Sequence, residues 1–285
     1  MNSGTNKGAT MEWKGVIPAI TTPFDEQGQV DHAFLARHAR WMIENGCRGI
    51  AALGSLGEGA TLAWDEKKAI LRTLVQALGD APVVAGISAL ATAEAVALAE
   101  AAQEAGCRGL MVLPPYVYST DWREMKAHVA AILAATPLSC MLYNNPVAYK
   151  TDFVPEQIRE LAEEFANLHA VKESSGDVRR VAGIRVVCGG RLQILVGMDD
   201  AIVEGVRMGA AGWIAGLVNA LPRESVRLFE LARDGRMAEA LDLYRWFLPL
   251  LRLDTVPKFV QLIKLAQQEA GMGNETVRAP RLPLV

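Results

Sequence analysis

Lys172 closes an apolar run, Leu168-His169-Ala170-Val171, with the composition of a buried strand. An ammonium among apolar neighbours is costly, and desolvation favours its neutral form. A neutral amine is a nucleophile that can form a Schiff base with a ketone. The same position also suits a lysine that reaches past the strand end to solvent, or one that pairs with Glu173. Tyr143 ends the preceding apolar run, in Met141-Leu142-Tyr143-Asn144-Asn145-Pro146. Adjacent strand ends lie about 5 Å apart, so Tyr143 and Lys172 can face one cavity. A phenol there can carry protons to and from a carbon beside a Schiff base, or simply rest in the core with its hydroxyl at the rim. Gly54-Ser55-Leu56-Gly57-Glu58-Gly59 offers converging backbone N–H groups for a phosphate or carboxylate, but lacks the dinucleotide and Walker patterns, and on its own a plain strand-to-helix turn is the stronger reading. Pro114-Pro115-Tyr116 would place an aromatic ring at the same mouth. His32, His38, His128 and His169 have no metal-ligand spacing and are expected on the surface or in packing. Asp199-Asp200 are expected to start a helix as acidic caps.

Such residues need elements that bring them to one end of a sheet. Short apolar runs begin near Gly15, Arg48, Pro82, Arg108, Leu138, Leu168, Gln193 and Ala211, at intervals of 18 to 34 residues, each followed by a longer helical pattern. Runs apolar on both faces suit a buried parallel sheet, and eight such units point to a closed (β/α)8 TIM barrel, with an open doubly wound sheet as the alternative. Glu44-Asn45-Gly46-Cys47-Arg48-Gly49-Ile50 recurs as Glu104-Ala105-Gly106-Cys107-Arg108-Gly109-Leu110, an offset of 60 residues. Both copies read as helix end, turn and strand, with Gly46 and Gly106 in the left-handed stop position. Beyond Gly216 the pattern is helical. Met237, Ala240, Leu241, Tyr244, Leu248 and Leu251 share one predicted helix face, and another helix is predicted from about Pro257 to Ala270. The expected organisation is a loose tail over residues 1–14, a barrel over 15–222, and a C-terminal helical region over 223–285 that covers the barrel or makes a subunit contact.

Composition narrows the function. Of 285 residues, 51% are hydrophobic, and 29 basic against 32 acidic side chains give a net charge of −3. That balance argues against a protein held to nucleic acid by phosphate neutralisation. No apolar run reaches the roughly 18 residues of a membrane span. Cys47, Cys107, Cys140 and Cys188 form no Cys-x-x-Cys pair, and the chain is expected in the cytoplasm with reduced thiols.

Three motifs, Gly54-Ser55-Leu56-Gly57-Glu58, Tyr143-Asn144-Asn145-Pro146 and Val171-Lys172-Glu173-Ser174-Ser175-Gly176-Asp177, occur in an order and spacing that resemble the dihydrodipicolinate synthase / N-acetylneuraminate lyase family. Gly15-Val16-Ile17-Pro18-Ala19, Thr21-Thr22-Pro23-Phe24, Pro114-Pro115-Tyr116, Gly197-Met198-Asp199-Asp200 and Gly212-Trp213-Ile214 extend the likeness over about residues 14–270. The resemblance implies a TIM barrel with C-terminal helices, a homotetramer built as a dimer of dimers, and metal-free class I lyase chemistry on a 2-oxo acid. It implies no cofactor beyond the covalent lysine imine. Lys172 matches the Schiff-base lysine and Tyr143 the proton-relaying tyrosine. Ser55 matches the first hydroxyl of the Gly-Thr-Thr-Gly-Glu motif, which binds the substrate carboxylate and joins the relay. Tyr116 matches the relay tyrosine given across the tight dimer contact, and Ile214 the position whose carbonyl lies beside the bound keto acid.

Two departures bear on the substrate. Leu56 replaces the motif's second hydroxyl, leaving its backbone N–H for the carboxylate. Ala148 stands where the lysine-biosynthesis enzymes carry an arginine that grips a second carboxylate. Asn145, Val147 and Tyr149, with Leu217-Val218-Asn219-Ala220-Leu221-Pro222, resemble the branch that converts Δ1-pyrroline-4-hydroxy-2-carboxylate to 2,5-dioxopentanoate. The alternatives are 4-hydroxy-tetrahydrodipicolinate synthase, a 2-oxo-acid aldolase such as one acting on 4-hydroxy-2-oxoglutarate, and a catalytically silent 2-oxo-acid-binding barrel.

Overall fold

A computed structural model describes residues 11–115 and 121–285. Its eight strands are β1 (Gly15–Pro18), β2 (Ile50–Ala52), β3 (Val83–Ile87), β4 (Gly109–Val112), β5 (Ser139–Asn144), β6 (Leu168–Glu173), β7 (Gln193–Val196) and β8 (Gly212–Ala215). All are parallel, each paired to its sequence neighbours, with β8 returning to β1. Arg48 N–H donates to Val16 O and Ile20 N–H to Ala51 O, each at 2.9 Å, closing β1 against β2. Every predicted strand is present, and the barrel, not the open sheet, is the fold.

Alternation along the strands explains why they read as continuous apolar runs. Ile17, Ala51, Val84, Met111, Met141, Ala170, Leu195 and Ile214 fill the barrel interior. Their neighbours Val16, Ile50, Val83, Leu110, Leu142, Val171, Ile194 and Trp213 face the surrounding helices. Both faces are dry, and burying each large aliphatic side chain contributes about 1.5–3 kcal/mol.

The helices between strands are α1 (His32–Glu44), α2 (Trp64–Leu78), α3 (Thr92–Glu104), α4 (Trp122–Ala134), α5 (Pro146–Tyr149), α6 (Pro155–Glu164), α7 (Arg179–Cys188) and α8 (Ile202–Arg207). After the barrel come α9 (Pro222–Arg233), α10 (Met237–Leu251) and α11 (Phe259–Glu269). The repeated stop signal works identically twice: φ is +98° at Gly46 and +91° at Gly106. The Cys47 N–H then reaches back to Met42 O, and the Cys107 N–H to Ala102 O.

Two expectations need correction. The tail drawn through Lys14 is not loose over its last four residues: Met11 and Trp13 are buried in the inner cluster, and Trp13 Nε1 donates to Ser139 Oγ at 2.8 Å. They close the barrel at the strands' N-terminal end, so an apolar pair in a polar stretch had a partner the sequence did not show. On α10 the buried side chains are Ala240, Phe247 and Leu251, while Leu241 is exposed. This helix is apolar nearly all round, which leaves two possible faces. Among the described residues no helix is long and apolar enough to cross a membrane.

Candidate active site

The barrel places Tyr143 and Lys172 side by side, as Cα partners in the β5–β6 register. Alternation turns Lys172 inward and Glu173 outward. Glu173 accepts hydrogen bonds from Asn144 Nδ2 at 3.0 Å and from the Ser175 N–H at 2.6 Å, and does not pair with Lys172. Lys172 is buried, 6% exposed, with Nζ 4.0 Å from the Tyr143 ring centroid. Burial lowers the lysine pKa from its usual range, against the pull of Asp254, Tyr149 and Asp199 toward the ammonium. The next strand makes room for this chain: a Cβ at Gly197 would lie 2.5 Å from Lys172 Cε and 2.0 Å from Ser174 Oγ.

Tyr143 is buried, and its hydroxyl accepts a hydrogen bond from Asn145 Nδ2 at 3.0 Å. Burial raises the phenol pKa, so the group keeps its proton at neutral pH and can donate it. Its ring meets Tyr149 edge to face at 5.7 Å, and the Tyr149 hydroxyl shares a hydrogen bond with Ser55 Oγ. Lys172, Tyr143, Ser55, Leu56 and Ile214 all line one cavity of about 430 Å³ at the C-terminal mouth of the barrel. The N–H groups of Ser55 and Leu56 donate to no described residue, leaving two donors for an anion. Tyr116 lies outside the described residues. Among the described residues no group of three or more His, Cys, Asp or Glu could hold a metal ion.

Several residues acquire roles that the sequence reading did not give them. Asp199 and Asp200 do start a helical turn, Asp199–Ala201, ahead of α8, but the Asp199 side chain does not cap it. Its fully buried carboxylate accepts from Trp213 Nε1 at 2.9 Å, Gly216 N–H at 3.0 Å and Leu217 N–H at 2.7 Å, fixing the turn after β8 beside Ile214. Burial raises its pKa to about 6, opposed by those three donors and by Lys172. Tyr149 enters as a partner of Ser55. Asp254 and Arg281 line the cavity from segments far down the chain. Ala148 also lines it, whereas nearby Lys150 turns its ammonium to Val147 O at 3.0 Å. A carboxyl flanked by Leu253 and Thr255 carries no spacing signal toward Lys172; only its interruption of an apolar stretch before Pro257 marked it.

The dihydrodipicolinate synthetase family profile matches residues 12–285. The 4-hydroxy-tetrahydrodipicolinate synthase of Bartonella bacilliformis is 32% identical over 272 residues, covering 95% of this chain and 92% of that protein. The enzyme of the same name from Agrobacterium fabrum is 33% identical over 269 residues, covering 94% and 92%. The chloride-inhibited dihydrodipicolinate synthase of Acinetobacter baumannii, solved with pyruvate, superposes with a TM-score of 0.91 at 28% identity, covering 95% and 94%. The chain belongs to the dihydrodipicolinate synthase family of lysine Schiff-base lyases.

Proposed function

We propose, on the premise of that membership, that Lys172 forms the imine with a small 2-oxo acid or its cyclic imine, and that the substrate is Δ1-pyrroline-4-hydroxy-2-carboxylate. The observation that carries the Schiff-base assignment is the buried amine of Lys172 held 4.0 Å from the Tyr143 ring in a cavity open to small molecules. The free N–H groups of Ser55 and Leu56 take the substrate carboxylate, with the Ser55 hydroxyl and the Ile214 carbonyl beside it. Attack of the neutral amine at C2 opens the ring by transimination. Tyr143 relays the proton at C3, through Ser55 and, across a dimer contact, Tyr116. Loss of water and ammonia gives 2,5-dioxopentanoate. The pyruvate seen in the Acinetobacter enzyme supports a 2-oxo acid at this place. The working assembly is a cytoplasmic homotetramer, a dimer of dimers.

Ala148 supports the choice of a substrate with one carboxylate. A bidentate arginine at that position would contribute at least the roughly 1.5–3 kcal/mol of a charged hydrogen bond, or about 10- to 100-fold in efficiency. A second reading rests on Arg281, which lines the same cavity with its Nη1 3.7 Å from Glu58 Oε2. Were it to hold a second carboxylate, the protein would make 4-hydroxy-tetrahydrodipicolinate, as its relatives are named to do. One measurement tests what the two readings share and a second separates them. Borohydride reduction in pyruvate, with peptide mapping, should label Lys172, and a label elsewhere removes the mechanism. Side-by-side turnover of Δ1-pyrroline-4-hydroxy-2-carboxylate, 4-hydroxy-2-oxoglutarate, and pyruvate with aspartate semialdehyde should favour the first, with activity surviving EDTA. The highest efficiency on the last pair would assign the clamp to Arg281.

A further inference from the structure

Asp254 belongs to the short turn Arg252–Thr255 that follows α10, and its carboxyl group enters the Lys172 cavity from outside the barrel. It is pressed onto the backbone after β8: a Cβ at Gly216 would lie 2.1 Å from Asp254 Oδ1 and 2.4 Å from its Cγ. Only glycine lets a carboxyl group stand there. Among the described residues Asp254 makes no hydrogen bond and no ion pair, although Arg252, two positions away, reaches Asp200 at 3.8 Å. A carboxyl group that is only partly exposed, as this one is, still normally finds partners in the protein. This one has its hydrogen-bonding capacity turned to the cavity and nothing structural to do with it. The charged and titratable groups around it are Lys172 from β6, Asp199 and Asp200 after β7, Tyr143 and Tyr149 from β5 and α5, and Arg281. Burial raises its pKa well above the carboxylate range, Asp199 and Asp200 add to this, and Lys172 opposes it. Asp254 and Lys172 are thus both pushed toward neutrality, an acid that holds its proton near an amine that gives its own up, which is the arrangement that separates acid from base roles in one site.

We propose that Asp254 is a catalytic residue: the general acid that protonates the 4-hydroxyl of the lysine-bound substrate as it leaves. The proposal rests on the substrate reading above and extends it. Tyr143 gives its proton to the ring nitrogen as transimination opens the ring, and the resulting phenolate removes the C3 proton, which yields the enamine at Lys172 and restores the phenol. The enamine electrons form the C3–C4 double bond and restore the C2 iminium, while the C4–O bond breaks with its electron pair on oxygen. Asp254 gives its proton to that oxygen, water departs, and the acid becomes a carboxylate. Solvent at the open cavity mouth then returns a proton to Asp254 and takes one from C5, giving the dienamine that goes on to lose ammonia.

The test uses Asp254→Asn with two substrates, the 4-hydroxy compound and its 4-fluoro analogue, whose fluoride leaves without a proton. Turnover of the hydroxy substrate should fall about 10²- to 10⁴-fold, the range for a positioned acid, while the fluoro analogue is processed near the parent rate. In the parent, the alkaline limb of the rate profile, where the acid loses its proton, should appear with the hydroxy substrate and vanish with the fluoro analogue. Borohydride trapping of pyruvate at Lys172 reports an intact site, and Asp254→Glu, which keeps a proton to give, should recover part of the loss. Equal rates of parent and Asp254→Asn on the hydroxy substrate would overturn the assignment and leave the substrate reading standing. An equal loss on both substrates would make Asp254 a positioning residue instead. A parent protein that does not turn over the hydroxy substrate at all removes the substrate reading, and this role with it.

Discussion

Burial does opposite things to the two side chains that meet at the barrel mouth, and both effects serve an imine mechanism. Lys172 loses its proton more readily than an exposed lysine, while Tyr143 holds its own more firmly than an exposed phenol. Burial therefore favours the neutral amine that attacks and the neutral phenol that donates. Tyr143→Phe should leave the imine with pyruvate intact, as trapped by borohydride, and cut turnover about 10²- to 10⁴-fold. Unchanged turnover would take the proton relay away from Tyr143. At this scale the sequence was legible wherever a chemical group ended a strand, because a strand end in a parallel barrel has only one place to be. Lys172 and Tyr143 were singled out that way and the Ser55 loop by the glycine pattern after β2, whereas Ile214 and the roles of Ser55 and Leu56 came only from the family resemblance. Tyr149, Asp254 and Arg281 were not, because contacts set by the fold bring them in from a one-turn helix, a turn and the segment after α11. Asp199 was misread for a related reason: the donors that claim its carboxylate come from β8 and the turn after it, beyond the reach of any local capping rule.

Strands fix the site as much by what they omit as by what they carry. Gly197 follows β7, donates its N–H to Glu173 O at 2.9 Å, and leaves the space occupied by the aliphatic stem of Lys172. Gly197→Ala would place a methyl group 2.5 Å from Lys172 Cε, closer than van der Waals contact allows. Relief requires the lysine to move, and overpacking of this kind costs about 1–3 kcal/mol. The expected outcome is a barrel with native circular dichroism whose yield of pyruvate adduct at Lys172 falls at least tenfold. An unchanged adduct yield would mean that the lysine has room to spare. The elements themselves were readable because buried parallel strands carry apolar residues on both faces, and because Gly46 and Gly106 punctuate α1 and α3. The orientation of α10 was not readable: with Leu241, Leu243, Tyr244, Phe247 and Leu248 spread around it, only packing against neighbours selects the Ala240–Phe247–Leu251 side.

Across the whole molecule, the C-terminal segment holds the Ser55 loop from outside the barrel. Glu58 ends the Ser55 loop in the left-handed region, with φ +55°, and is buried. Its carboxylate receives Lys264 Nζ from α11 at 2.6 Å and the Arg278 N–H at 3.1 Å, while Arg278 also grips Glu66 with bonds of 2.7 and 2.9 Å. Removing Lys264 leaves the buried Glu58 carboxylate with only the Arg278 N–H and Arg281, whose Nη1 is 3.7 Å away, a loss approaching the ~3–5 kcal/mol of a broken buried pair, whereas removing both charges is far milder. Lys264→Met should therefore lower the urea midpoint strongly and raise KM for the 2-oxo acid, and Glu58→Gln with Lys264→Met should recover most of the stability. Additive losses in the double variant would show that the two charges do not depend on each other. The helices beyond the barrel were legible in number and place, but their grip on the Ser55 loop was not, since it joins residues 206 and 220 positions apart. That separation has a consequence for the order of synthesis. When the eighth strand leaves the ribosome, Lys172, Tyr143 and Ser55 have all been made, yet Glu58 must still wait for Lys264 and Arg278. A nascent or prematurely terminated chain would carry the Glu58 carboxylate under an unfinished loop, so the contact that completes the pocket is also among the last that synthesis makes possible.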